Sequence, residues 1–302
     1  MRYGSTPATA QQDFADPPQI HLSISALPTV QQLTEDSKSE ALEFLAARPA
    51  HSVIIDGMLR QNGLDSGLNR GDFYVCRDGQ KAIQGIALIG HHVLFETSDD
   101  NAIVEFAKLS REAASIYMIM GETDKIARFW AQYTCERQIA FTLERELLLE
   151  QRWPVEALQD IPGLRLATAE DLDLVAAAHA AVAVEEQGFD VLEVDPVGFT
   201  ARCARRIEQG RVWVWIDNGR LIFKVDIVSE TPYVTYLEGA YVAPSDRSRG
   251  YGLRCFSKLS RQILQRTASI CLLVNERNHA ARSFYQRAGF KLLSRYDTIF
   301  LQ

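Results

Sequence analysis

The stretch Tyr241-Val242-Ala243-Pro244-Ser245-Asp246-Arg247-Ser248-Arg249-Gly250-Tyr251-Gly252 holds residues suited to binding a phosphate. A hydrophobic run ends at Pro244 and a polar turn follows. Two glycines one residue apart then open an amphipathic segment with Leu253, Phe256, Leu259, Ile263 and Leu264 on its apolar side. The first turn of a helix exposes unpaired N–H groups and a partial positive charge, which together bind anions. Glycine lets the backbone approach a ligand closely and reach conformations that a Cβ forbids. Arg247 and Arg249 add charge where a pyrophosphate would sit. The spacing is neither the dinucleotide pattern Gly-x-Gly-x-x-Gly nor a Walker loop, since no Gly-Lys-Ser/Thr follows. A glycine-rich turn with solvated arginines is the other reading of this segment alone.

A second constellation lies downstream. The apolar run over 270–275 ends at Asn275, and Asn278 is placed as the N-cap of a short helix. Gly289 suits the left-handed position that ends it, and Phe290 opens the next strand. Tyr285 lies seven residues past Asn278, two turns on and on the same face. Upstream, alternation puts Glu238, Ala240 and Val242 on one face of the strand that ends at Pro244.

Here the sequence resembles the GNAT N-acetyltransferase superfamily. That family's acyl-CoA signature, Arg/Gln-x-x-Gly-x-Gly/Ala after a strand ending Val-x-Pro, is matched by Val242, Pro244, Arg247, Gly250 and Gly252. Its second signature, Asn-x-x-Ala-x-x-x-Tyr-x-x-x-Gly-Phe, is matched by Asn278, Ala281, Tyr285, Gly289 and Phe290. The resemblance covers about 163–302. It implies an acyl-CoA ligand, acetyl-CoA by default, lying between two splayed parallel strands over 233–242 and 270–274. The pantetheine arm would pair along Ala240, Tyr241 and Val242. The pyrophosphate would meet Arg247, Ser248, Arg249, Gly250, Tyr251 and Gly252. Asn275, Asn278, Ala281 and Tyr285 would flank the cofactor arm. Tyr285 is the implied general acid for the departing thiolate, with packing as its alternative. Glu238 is the implied base, directly or through water, with a carboxylate lacking any proton-transfer role as its alternative. No metal is implied.

These residues need elements to hold them, and the pattern supplies an α/β (α+β) arrangement. A helix is expected over 34–47, a hairpin around Asp78-Gly79, a strand over 91–96 and a helix over 101–113. A strand, a helix and a further strand follow up to about 149. A second series begins after the Pro-containing stretch 153–163. It has a short strand, a helix over 169–184, an acidic connection and a helix closed by Gly210. A hairpin at Asn218-Gly219, the strand carrying Glu238 and the two motif helices come next, with a terminal strand pair last. The two halves share one coarse order, which suggests two copies of one fold. The expected organisation is a flexible tail over 1–20, a degenerate GNAT-like domain over 21–155 and an acyl-CoA-binding domain over 163–302. Each domain would be a mixed twisted sheet flanked by helices. The corresponding turn of the first half, HHVLFETSDDNAIVEFAKL, has no Arg-x-x-Gly-x-Gly, so that half is expected not to bind acyl-CoA. Tandem architectures of this kind are found among bacterial members of the superfamily.

Charge and composition limit the partners. The 302 residues carry a net charge of −7, divided as −9 over 1–162 and +2 over 163–302. That argues against non-specific nucleic-acid binding. Within 241–295 the net is +9, which suits an anionic small ligand or solvated helix faces. The five cysteines are scattered with no Cys-x-x-Cys, so buried free thiols are expected rather than disulfides or zinc. No signal peptide and no apolar run of about 20 residues is present, so a cytoplasmic protein without membrane association is expected.

The resulting expectation is an acyl-CoA-dependent N-acyltransferase in which a small-molecule or peptide amine attacks the thioester directly. The alternative is a non-catalytic acyl-CoA-binding or regulatory module. Glu185, Glu186, Asp190, Glu193 and Asp195 form either an acidic acceptor rim or a solvated loop. His179 reads as a core or surface helix residue, and Trp213 and Trp215 as packing. The sequence assigns no acceptor and no oligomeric state.

Overall fold

The computed structural model describes residues 28–301 except 114, 136–138, 140, 157–159 and 188–190. The expected tail over 1–20 and Asp190 therefore lie outside the described residues. In chain order the first half comprises β1 (Thr29–Gln32), α1 (Lys38–Ala46), α2 (Pro49–Asn62), β2 (Gly71–Arg77), β3 (Ile83–Gly90) and β4 (His92–Thr97). It continues through α3 (Asp100–Ser110), β5 (Met118–Glu122), α4 (Thr123–Tyr133) and β6 (Phe141–Gln151). The second half repeats the order. It comprises β7 (Leu164–Leu166), α5 (Leu172–Gln187), the one-turn α6 (Val191–Val194), α7 (Pro196–Glu208), β8 (Val212–Asp217) and β9 (Arg220–Glu230). Then come β10 (Val234–Val242), α8 (Tyr251–Ile263), β11 (Ser269–Asn275), α9 (His279–Arg287) and β12 (Lys291–Leu301).

Among the described residues the twelve strands form one continuous sheet in the order β1-β2-β3-β4-β5-β12-β6-β11-β10-β9-β8-β7. The last strands of the two halves are exchanged. β6 lies against β11 of the second half, while β12 runs between β6 and β5 of the first. Instead of the expected terminal strand pair there is one eleven-residue strand, irregular only between Leu292 and Ser294.

Helix α2 falls where the apolar pattern points to no element. Pro49 at its first position and Gly63 (φ +75) after its end are ordinary helix punctuation. Ser52, Asp56 and Gly57 break its apolar periodicity, yet all three are buried. Ser52 Oγ donates to Leu45 O at 2.7 Å, Asp56 pairs with Arg60, and Gly57 packs directly against Ser229 of β9. Ser229 Oγ in turn donates to Val53 O at 2.6 Å. Helix α2 of the first half thus lies on the sheet of the second. There Ala50 and Val53 join Tyr236, Cys271, Leu148 and Tyr296 in one apolar cluster. The opposite face carries the larger core, where Phe256, Leu259 and Ile263 of α8 pack on Phe223, Val225, Leu237 and Leu272. Trp213 and Trp215 pack against that core, as expected of them. Four cysteines are buried and free, whereas Cys135, expected buried with the rest, is exposed because it follows the end of α4. No helix among the described residues is long and apolar enough to cross a membrane.

Candidate active site

The site begins where two strands part. β10 and β11 run parallel only from Val234 to Tyr236, against Ser269 to Cys271. Beyond that pair β11 is bonded to β6, and β10 keeps only β9 as a partner. From Leu237 to Val242 the inner edge of β10 therefore has no strand partner among the described residues, although side chains reach two of its carbonyls, Arg247 at Val242 O and Lys224 at Gly239 O. Ala240, Tyr241 and Val242 sit half-buried along it.

At the end of β10 the chain makes a short 3-10 turn, Pro244–Asp246, and passes Ser248 (φ +62) and Gly250 (φ +78), both left-handed. Gly250 is the N-cap of α8 and offers no side chain to it. The first intrahelical bond runs from Arg254 N to Gly250 O, leaving the N–H groups ahead of it directed out of the helix head. A Cβ on Gly252 would meet Val242 Cγ2 at 3.0 Å and Phe284 Cε2 at 3.1 Å. Gly252 is thus where the head of α8, the end of β10 and helix α9 come together, so the two sequence motifs meet in space. Tyr251 packs edge-on against Trp215, with ring centroids 5.0 Å apart.

The two arginines of the turn are held by carboxylates of the chain. Arg249 contacts Asp246 at 3.3 Å, as does Arg220. Asp246 is buried beneath the turn and organises it, a role the sequence reading did not assign. Arg247 donates to Val242 O at 3.1 Å and forms a two-pronged pair with Glu185 at 2.7 and 3.1 Å. Glu185 thereby ties α5 to the turn.

Across the opening, Asn275 ends β11 and accepts from Arg277 N. Asn278 caps α9 by accepting from Ala281 N at 3.0 Å, as its position predicts. Ala281 and Tyr285 pack against the main core, and the Tyr285 ring lies 5.7 Å from Phe256 and 5.6 Å from Phe290.

Glu238 does not share a face with Ala240 and Val242 as alternation predicts: the bulge between Glu238 and Tyr241 puts Ala240 and Val242 on the α8 side with Leu237, and Glu238 on the other face, opposite Asp226 of β9. Its side chain is exposed to solvent, although the sheet and the neighbouring charged groups partly desolvate it. Burial pushes its carboxyl above the ordinary carboxylate range, and Asp226 adds to the rise, while Arg206 and Lys224 oppose it. His179 is a core residue, as expected, but it is also part of a buried charge cluster with Lys224 and Asp226. The sequence signal for that cluster was two charges at alternating positions in the apolar run LIFKVDIV. Of the acidic connection, Glu185 engages Arg247 and Asp195 caps α7 through Gly198 N, and Glu193 is exposed. No group of three or more metal-ligating side chains occurs among the described residues.

Comparison with known proteins agrees with this geometry. Residues 226–299, which carry Glu238, the α8 turn and α9, match the FR47-like protein family. A tandem GNAT protein from the clavulanic acid biosynthesis pathway superposes with a TM-score of 0.55, covering 91% of this chain and 98% of that one at 13% identity. The chain has the tandem GNAT fold. A GNAT-family acetyltransferase from Colwellia psychrerythraea shares this fold at TM-score 0.55 and 15% identity, covering 91% of this chain and all of that one. Among curated proteins, the peptidyl-lysine N-acetyltransferase YiaC of Escherichia coli (strain K12) is 32% identical over 81 residues. That match spans 27% of this chain and half the length of YiaC. Within the tandem GNAT fold, the β10–β11 opening and the α8 head lie in the second unit.

Proposed function

We propose that the chain is an acyl-CoA-dependent N-acyltransferase, acetyl-CoA being the default donor, that moves the acyl group to an amine by direct attack in a ternary complex. The observation that carries this reading is the pairing of two features at one place. A strand edge without a strand partner runs from Leu237 to Val242, and a helix head with no side-chain cap lies directly beyond it. The residues fit the donor. The β10 edge would hold the pantetheine arm, and the N–H groups at the head of α8 would hold the pyrophosphate. Asn278 and Asn275 flank the opening.

The donor supplies an acyl group activated as a thioester; the remaining work falls to the chain. Holding amine and thioester in one cleft removes the entropic cost of their encounter. Glu238 takes a proton from the attacking nitrogen, and burial raises its affinity for protons above that of an ordinary carboxylate, in the direction that suits a base. The new C–N bond forms as the C–S bond breaks, and Tyr285 gives its phenolic proton to the departing sulfur. A β10 N–H steadies the charge growing on the carbonyl oxygen.

The acceptor face favours a cationic amine. Burial holds the Tyr236 phenol in its protonated form, and the charges of Glu238 and Glu146 add to that. Glu146 belongs to the exchanged strand β6, where its backbone pairs with Asn275 of β11 and its carboxylate accepts from Thr298 Oγ1 at 2.7 Å. The relative YiaC is named for peptidyl-lysine, whose ammonium has this chemistry. The same facts support the domain reading of a second unit over 163–302 that binds donor and acceptor and a first unit over 21–155 that binds no acyl-CoA. Supporting this, helix α3 is capped by Asp99, whose carboxylate accepts from Asn101 N at 2.9 Å at the place where α8 has Gly250. That negative charge repels phosphate.

The test is release of free thiol from acetyl-CoA with lysine-containing peptides and polyamines as acceptors. Amine-dependent release supports the reading. Acetyl-CoA binding without release across the panel would favour the non-catalytic module instead.

A further inference from the structure

Behind the turn that carries Glu238 lies a charge cluster with no part in the steps above. Lys224 of β9 is fully buried. Its Nζ donates to Gly239 O at 3.1 Å and to His179 Nδ1 at 3.1 Å, and it lies 3.1 Å from Asp226 Oδ1. Gly239 O and His179 Nδ1 thus take two N–H groups of the ammonium, and Asp226 pairs with its charge without a hydrogen bond to Oδ1. His179 closes the ring. With Nδ1 accepting, the proton is assigned to Nε2, which stands 2.7 Å from Asp226 Oδ2. Arg206 of α7 reaches the same oxygen at 3.0 Å.

This cluster meets the backbone at one irregular point. Between the pairs Glu238↔Asp226 and Tyr241↔Lys224, β10 takes three steps where β9 takes two. The extra residue makes a bulge, and bulges turn side chains out of the regular alternation. Gly239, at φ +60, provides the left-handed turn within it. A Cβ there would stand 3.0 Å from Lys224 Nζ and 3.6 Å from His179 Cε1. The bulge leaves the Gly239 carbonyl without a ladder partner, and Lys224 supplies the donor.

We propose that Lys224 is a positioning residue for acyl transfer: its ammonium, locked by His179 and Asp226, clamps the Gly239 carbonyl and so sets the bulge that presents Glu238 to the cleft. This rests on Glu238 acting as the base.

The clamp also governs the charge around Glu238. The charged and titratable groups that act on it are Lys224 and Asp226 on β9, Arg206 on α7 and Tyr236 on its own strand, and His179 on α5 contacts Lys224 and Asp226. Lys224 and Arg206 stabilise the ionised carboxylate, and Asp226 opposes them. A base works when deprotonated, so activity falls as pH drops through its pKa. Removing the Lys224 charge raises that pKa and moves the acid limb of the pH–rate profile upward.

The experiment uses the full chain, acetyl-CoA and a lysine-containing peptide. Lys224→Met is expected to lower kcat at least tenfold and move the acid limb of kcat/KM upward. The acetyl-CoA dissociation constant should stay within twofold. Lys224→Met/Asp226→Asn removes both buried charges. It is expected to keep the loss in kcat while its acid limb returns toward that of the wild type. Independently of turnover, amide hydrogen exchange over 238–242 is expected to rise at least tenfold in both variants. Unchanged exchange and unchanged kcat in a folded variant would overturn the clamp. If Lys224→Met does not fold, the double variant decides alone, since it leaves no unpaired buried charge. Glu238→Gln separates the two readings. Wild-type turnover in that variant removes the base, and the exchange measurement then still judges the clamp.

Discussion

Glu96 and Glu238 occupy the same place in the two halves of the sheet. Glu238 stands two residues beyond Tyr236, the last residue of β10 paired in parallel with β11; Glu96 stands two beyond Leu94, the last residue of β4 so paired with β5. Their surroundings differ. Glu238 opens onto a cleft, while Glu96 is buried and clamped by Arg48 at 2.7 Å and Lys125 at 3.1 Å. Both cations also hold Glu122, with Arg48 at 2.9 Å and Lys125 at 2.6 Å. The first half therefore fills its own opening with two internal cations.

One consequence is the stoichiometry of ligand binding. The head of α3 is capped by the Asp99 carboxylate and the opening beside it is filled, whereas the head of α8 is uncapped. Calorimetry should find one equivalent of acetyl-CoA per chain. Gly252→Ala, which sets a Cβ against Val242 and Phe284, should weaken that binding at least tenfold. A second equivalent surviving in the variant would contradict this reading of the first half.

Tyr285→Phe should separate chemistry from binding. The ring remains to pack on Phe256 and Phe290, so the fold and the acetyl-CoA dissociation constant should be little changed. Loss of the phenolic proton should lower kcat ten- to a hundredfold, the size of a typical general-acid contribution. Stopped-flow thiol detection makes the measurement. Full activity in the variant would leave Tyr285 as a packing residue.

Acid should loosen the first half through Glu122. Burial alone would raise its carboxyl, but Arg48 and Lys125 outweigh that and hold it at about 2, against an ordinary value of 4.5. A depressed native pKa stabilises the fold above the unfolded value. That stability is lost as pH falls from about 4.5 toward 2, and for Glu122 it is on the order of 3 kcal/mol. Thermal melts between pH 7 and 3 should show the decline, and Glu122→Gln should flatten it. Arg48→Met should destabilise at neutral pH by about 3 kcal/mol, because it strips a partner from two carboxylates.

The strand exchange predicts shared cooperativity. β12 closes the sheet of the first half and β6 that of the second, so neither half completes its sheet from its own sequence. The full chain should unfold in one transition by calorimetry. Separate expression of 1–155 and 163–302 should yield material that is unfolded or aggregated, through the exposed edges left behind. Two independent transitions in the intact chain would refute the coupling.

Much of the second half was legible in the sequence because its signals are local. Pro244, Gly250 and Gly252 announce a strand–turn–helix junction, Asn218-Gly219 a hairpin, Asn278 a cap and Gly289 a stop; each reflects the conformational limits of a few consecutive residues. Helix α2 was not legible, since Ser52, Asp56 and Gly57 read as polar or small while their partners, Leu45, Arg60 and Ser229, bury them. The sequence marks the arginines of the α8 turn as charge for a pyrophosphate or as solvated side chains, and it does not show that Glu185 and Asp246 hold them, contacts made across the turn and from α5.

The sequence by itself determined the repeated element order, the glycine-bearing helix head and the strand that carries Glu238, because hydrophobic period, capping and turn chemistry act over a few residues. Tertiary structure alone decided the exchange of β6 and β12, the clamping of Glu96 and the buried contact of Lys224 with Gly239. Those depend on which strand edges and charges meet after the chain has folded back on itself. Residue type limits such pairings but cannot select among them until desolvation makes each unpaired group costly.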